Sequence, residues 1–130
     1  MAALRHERSE LVVRLNDLEK TGALQGDIRV PWSTVRDVRV SDSPFRELRG
    51  IRSPGTGLPG IIALGTWRGG GRKDFAALYR GGPCVVVTLE GSEWSRLLVS
   101  DQRAVETVEQ LRSDLAASPG GQDRVRPSEA

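Results

Sequence analysis

Apolar and polar residues alternate, or gather in short blocks, along most of the chain; helical spacing sets in only after Asp101. Ser9–Leu15 (SELVVRL) is β-branched at its centre and predicts a first strand. Leu11, Leu15 and Leu18 also fall at helical steps. Asn16-Asp-Leu-Glu19 has the form of a capping box, however, so a strand ending near Leu15 and then a short helix account for more of the residues. Gly22 is the expected closing residue of that helix. After a turn at Gly26-Asp27, Ile28–Val30 predicts a short strand ended by Pro31, which has no N–H for a ladder. Trp32-Ser33-Thr34 makes a corner. Val35–Val40 then repeats apolar and polar residues at period two, the pattern of a half-buried strand, and Asp42-Ser43-Pro44 ends it.

Phe45–Gly60 has no period. Its second part, Gly50–Gly60, holds four glycines and two prolines, which predicts a long shaped loop of a kind that is often functional or mobile. Ile61–Trp67 and Asp74–Arg80 read as paired strands around a glycine tip at Arg68–Arg72. Gly81-Gly82-Pro83 turns into Cys84–Leu89, a continuous β-branched strand, and Trp94–Val99 is the last. In Asp101–Ala116, Ala104, Val105, Val108, Leu111 and Leu115 form one apolar stripe on a helix capped by Ser100 or Asp101 and stopped by Ser118-Pro119-Gly120-Gly121. The expected organisation is a flexible N-terminus over 1–8, one domain over 9–116 and a disordered tail over 117–130.

The fold class that follows is mainly β (α+β): a small antiparallel β-sandwich or barrel, capped by one C-terminal amphipathic helix. Without crossover helices between the strands, a doubly wound sheet is excluded. Val30-Pro-Trp-Ser-Thr-Val35-Arg-Asp-Val38, followed by hairpins and a closing helix, resembles the bacterial pleckstrin-homology-like (PH-like) domains. That resemblance implies two packed antiparallel sheets over Ser9–Ala116. The string from Gly50 to Thr66 is similar to a group of small actinobacterial proteins. Neither resemblance brings catalytic residues. Lipid-binding PH domains hold their ligand on a basic hairpin loop near the first strands; here the first connection, Asn16–Gly26, has Lys20 alone.

Length and charge add bounds rather than an activity. A chain of 130 residues suits one domain with a core of ordinary size. No apolar run approaches the length that crosses a bilayer, and the first residues lack the apolar core of an export signal, so the expected location is cytoplasmic. The formal net charge is only +2. Residues 1–80 nevertheless carry fourteen Lys/Arg against nine Asp/Glu, and 81–130 carry five against eight. Arginine supplies nearly all of that excess, and it favours planar bidentate partners such as carboxylate and phosphate. A GC-rich coding sequence enriches arginine just as well.

Residues for reactive chemistry are sparse. His6 is the one histidine and Cys84 the one cysteine; Cys84 opens a core-like strand and reads as a small buried hydrophobe. One Cys and one His cannot build a zinc site. The Gly55-Thr-Gly57 and Gly69-Gly-Gly71 stretches lack the Gly-Lys-Ser/Thr and following helix of a phosphate loop. No catalytic residue, metal or cofactor is therefore expected. Trp32, Trp67 and Trp94 sit near strand ends, where packing is the ordinary role.

The leading functional expectation is a non-enzymatic PH-like interaction module, binding an unknown protein or peptide at a sheet edge, with homo-oligomerisation through the same edges as a companion. The alternative is an anion binder for acidic lipid or nucleic acid that uses Arg46, Arg49, Arg52, Arg68, Arg72 and Lys73.

Overall fold

A computed structural model describes residues 1–58 and 60–117, and the side chains of 53–58 are not described. The expected tail over 117–130 therefore lies almost wholly outside the described residues. The chain runs β1 (Ala3–Glu7), β2 (Glu10–Arg14), α1 (Asp17–Ala23), β3 (Ile28–Pro31), β4 (Val35–Ser41), β5 (Ile51–Leu58), β6 (Ile62–Gly69), β7 (Arg72–Tyr79), β8 (Cys84–Leu89), β9 (Arg96–Ser100) and α2 (Ala104–Ala117). Strands β1-β2-β3 form one sheet, and β4-β8-β9-β7-β6-β5 form a second. The two sheets do not close into a barrel, so of the sandwich and barrel expected from sequence only the mostly β, helix-capped form survives.

Local chemistry explains α1. Asn16 caps it by accepting from the Glu19 N–H, and Glu19 accepts in return from the Asn16 N–H at 2.9 Å, completing the capping box. The helix runs past Gly22, and Leu24 takes the left-handed conformation that ends it, at φ 52°. Burial of Ala23 at 1% exposure holds that extra turn against the core, and packing overrides the glycine signal.

Four other expectations change. Residues 3–7 do not fray but pair with β2 along their whole length, from Ala3 opposite Arg14 to Glu7 opposite Glu10. Their weak pattern reflects a short edge strand with one face in water. The supposed loop over 50–60 is largely β5, an edge strand paired with β6 through a register shift between Arg52 and Gly55. Its glycines and Pro54 hide the strand from propensity, yet an edge with a bulge tolerates both. Gly50 makes the entry possible. It has φ 85°, and a Cβ there would overlap the carbonyl of Arg68.

The six-stranded sheet is mixed rather than antiparallel, because β7 and β9 are parallel neighbours. After β7 the chain skips one position to form β8, and β9 turns back into the gap, bonding β8 on one side and β7 on the other. A skipped position spans roughly 10 Å, two strand spacings, which the short link over 80–83 covers. Between β6 and β7 the tip is a two-residue turn at Gly70 (φ 58°) and Gly71 (φ 76°), the positive-φ pair that a tight hairpin demands.

The main core joins both sheets and α2. Leu11, Val13 and Val30 from the smaller sheet meet Phe75, Val85, Val87 and Leu97 from the larger, with Val108, Leu111 and Leu115 of α2. Val105, expected in that stripe, is exposed. A second cluster covers the opposite face of the larger sheet, where Trp67, Leu78, Cys84, Val86 and Leu98 receive Phe45 and Leu48 from the segment before β5. With both faces covered, β8 and β9 read as continuous apolar runs. No helix among the described residues is long and apolar enough to cross a membrane.

Candidate functional site

The strand register decides where the six basic candidates lie. Arg52, Trp67, Asp74, Arg96 and Thr88 stand opposite one another across β5, β6, β7, β9 and β8, so they share the face covered by Phe45 and Leu48. Arg72 has the same parity as Asp74 and lies on that face. Arg68 pairs with Lys73, and both belong to the other face of the hairpin. The candidate set is thus divided between two faces rather than gathered in one concave site.

Arg49 and Lys73 meet carboxylates. Arg49 donates to Asp74 through Nε at 2.7 Å and through the terminal nitrogen at 3.2 Å. Lys73 Nζ lies 3.3 Å from Glu93 and 4.3 Å from the centre of the Trp94 ring. Arg46, Arg52, Arg68 and Arg72 are exposed.

Arg49 is one end of a five-membered ionic chain that sequence reasoning did not find. Asp74, only 2% exposed, also faces Arg96 Nε at 3.4 Å. Arg96 continues to Glu47 Oε1 at 3.3 Å and donates to the Glu47 carbonyl. Glu47 receives Arg39 in a bidentate pair at 2.7 and 3.1 Å. Charges alternate along the row, and each carboxylate lies between two guanidinium groups. Hydrogen bonding from Arg39 holds the Glu47 carboxyl down at about 2. Asp74 and Arg96 sit in strands whose neighbours are apolar; only the register shows that they meet Glu47 and Arg49. The arrangement straps residues 44–50 to the sheet beneath.

His6 and Cys84 do not meet. His6 stacks on Trp32 with ring centres 3.9 Å apart and places Nδ1 3.0 Å from Asp114 of α2. Cys84 lies in the cluster on the far face of the larger sheet, where burial pushes its thiol up to about 11. The His6–Asp114 contact crosses a groove of about 460 Å³ between β1 and α2. Among the described residues, no group of three His, Cys, Asp or Glu side chains is placed to hold a metal ion.

Among the described residues, two features of the larger sheet bear on a partner. β5 is an eight-residue edge strand, bonded by β6 on one side and by no other strand among the described residues. Each edge strand of this sheet has a helix beside it: α2 packs against β4, where Arg112 donates to the Val38 carbonyl at 2.7 Å, and α1 lies beside β5. The second feature is an apolar cavity of about 630 Å³ between α1 and the ends of β6 and β7, with Glu19 and Tyr79 on its wall. Burial, together with the hydrogen bond to Glu19, raises the Tyr79 hydroxyl above its ordinary range.

Comparison of the chain with protein-family models, with curated proteins and with solved structures finds no match.

Proposed function

We propose that this chain is a non-enzymatic interaction module of PH-like type that takes up an extended peptide along β5. The single observation that carries the reading is the long edge strand, which has a strand neighbour on one side only among the described residues. Such an edge offers a row of N–H and C=O groups that an added strand completes. Pro54 and the shift after Arg52 interrupt the ladder, which favours a short docked segment over continuous fibre-like pairing. The PH-like part of the reading is supported by the order of strands and the closing helix; the parallel β7–β9 pair departs from two antiparallel sheets.

A random peptide library selected on the full chain tests this. Selected peptides are expected to bind in extended form, to slow hydrogen exchange at backbone amides within 51–58, and to keep their affinity as salt is raised. Protection confined to another strand, or no selected binder, overturns the reading. A stable self-associated state that protects the same amides would assign the edge to a second copy of the chain.

The alternative, binding of acidic lipid or nucleic acid, draws support from exposed Arg46, Arg52, Arg68 and Arg72. It requires binding that falls steeply with salt.

A further inference from the structure

Residues 42–50 cross one face of the larger sheet from edge to edge, because β4 and β5, which they join, are its two edge strands. Five strand spacings amount to roughly 24 Å. Ten peptide steps from Ser41 to Ile51 reach roughly 33 Å when extended, and the single 3-10 turn at Pro44–Glu47 takes up about 5 Å of that. The crossing is nearly taut. Residues 42–50 belong to no strand, and two kinds of contact hold them down. Phe45 and Leu48, both partly buried, join the cluster of Trp67, Leu78, Cys84 and Val86. Glu47 and Arg49 tie to Arg39, Arg96 and Asp74, side chains of β4, β9 and β7. Partly exposed ion pairs and two apolar side chains hold a segment less firmly than a ladder within a closed core.

We propose that residues 42–50 form a gate over this face: Glu47 parts from Arg39 and Arg96, the 3-10 turn unwinds, and the strap lifts while the sheet stays folded. Unwinding supplies the slack that the taut crossing lacks, so neither end strand has to move. Both ends stay anchored in β4 and β5, and the strap can close again. Opening uncovers the apolar residues that Phe45 and Leu48 shield. Cys84 reports the open state. It is 0% exposed, stands opposite Ser41 where the strap begins, and shares its cluster with Phe45 and Leu48. The gate lies on the face of the sheet and does not depend on peptide uptake along β5.

The test is the rate at which a neutral maleimide alkylates Cys84 in the full chain at neutral pH, read beside hydrogen exchange of the β8 and β9 amides. Glu47→Gln keeps the size of the side chain and removes its charge. Alkylation should then run at least about tenfold faster than in the native chain, the scale of losing one hydrogen bond to a charged group, with β8 and β9 still protected. Arg39→Lys keeps the local charge and removes the bidentate grip, so it should accelerate alkylation too. Leu111→Ala loosens the core on the opposite face and should accelerate it less than either. Unchanged rates in both strap variants overturn the proposal. Acceleration in Glu47→Gln alone assigns the effect to the field at the thiol and also overturns it. So does a larger acceleration in Leu111→Ala, or one matched by lost protection of β8 and β9, because global unfolding then exposes the thiol. If Glu47→Gln does not fold, Arg39→Lys against Leu111→Ala decides it.

Discussion

Arg49 Nε lies 2.7 Å from Oδ2 of Asp74, and this contact ties the basic stretch before β5 to a carboxylate buried in the middle of the larger sheet. The partner strand contributes more than an anchor. Asp74 is 2% exposed, so its charge depends on Arg49 and Arg96 for compensation. Removing the acid therefore differs from removing either base.

Asp74→Ala should cost about 3–5 kcal/mol, the range for breaking a buried pair from one side. Arg49→Ala should cost about 1–3 kcal/mol, because Asp74 keeps Arg96. Arg52→Ala, at an exposed position on the same face, should stay within about half a kcal/mol. Urea unfolding of the three variants gives the ranking. Equal losses for Arg49 and Arg52 would show that the strap contributes nothing to stability.

Glu47 links stability to pH. Its folded-state carboxyl is held at about 2, against 4.5 in the open chain, chiefly by the hydrogen bonds from Arg39. A lowered carboxyl stabilises the fold above pH 4.5, and that contribution is lost as pH falls toward 2. Its size is about 1–3 kcal/mol, with solvent at half-exposed Arg39 screening part of it. The stability gap between the native chain and Glu47→Gln should thus narrow over this interval. A gap that stays constant from neutral pH to pH 2 would contradict the assignment.

Leu111 tests whether α2 is docked. It is 3% exposed within the shared core. Leu111→Ala should cost about 2–4 kcal/mol, as deletion of a buried leucine side chain does. Val105→Ala, one face away and exposed, should change stability by less than about half a kcal/mol. Thermal or urea unfolding that shows no difference between the two variants would mean the helix is not held by its stripe.

Cys84 should be chemically silent in the folded chain. Burial raises its thiol to about 11, and thiolate is the reactive form. A disulfide reagent at neutral pH should modify it only after urea unfolding. Modification of the native chain at the rate seen in urea would place the thiol at the surface.

The chain's own residues determined its local elements. The capping box at Asn16 and Glu19 is legible because both partners lie within one helical turn, and α2 is legible because four core residues recur at helical steps. The β-branched run at Cys84–Leu89 and the Gly70-Gly71 tip are equally local. Each rests on steric and hydrogen-bond preferences over a few residues. Tertiary structure decided everything that depends on which strand lies beside which. Val85–Val87 and Leu97–Val99 are interchangeable as apolar strands, so no local pattern could place β9 between β7 and β8 or make it parallel to β7. The same holds for β5, whose glycines and Pro54 read as a loop until β6 supplies its ladder. The ionic row follows from that order, because Asp74 and Arg96 become neighbours only once β7 and β9 pair in register. Glu19 shows both levels in one residue. Its capping role is set within four residues, while its place at Tyr79, sixty positions away, comes from packing α1 onto the larger sheet.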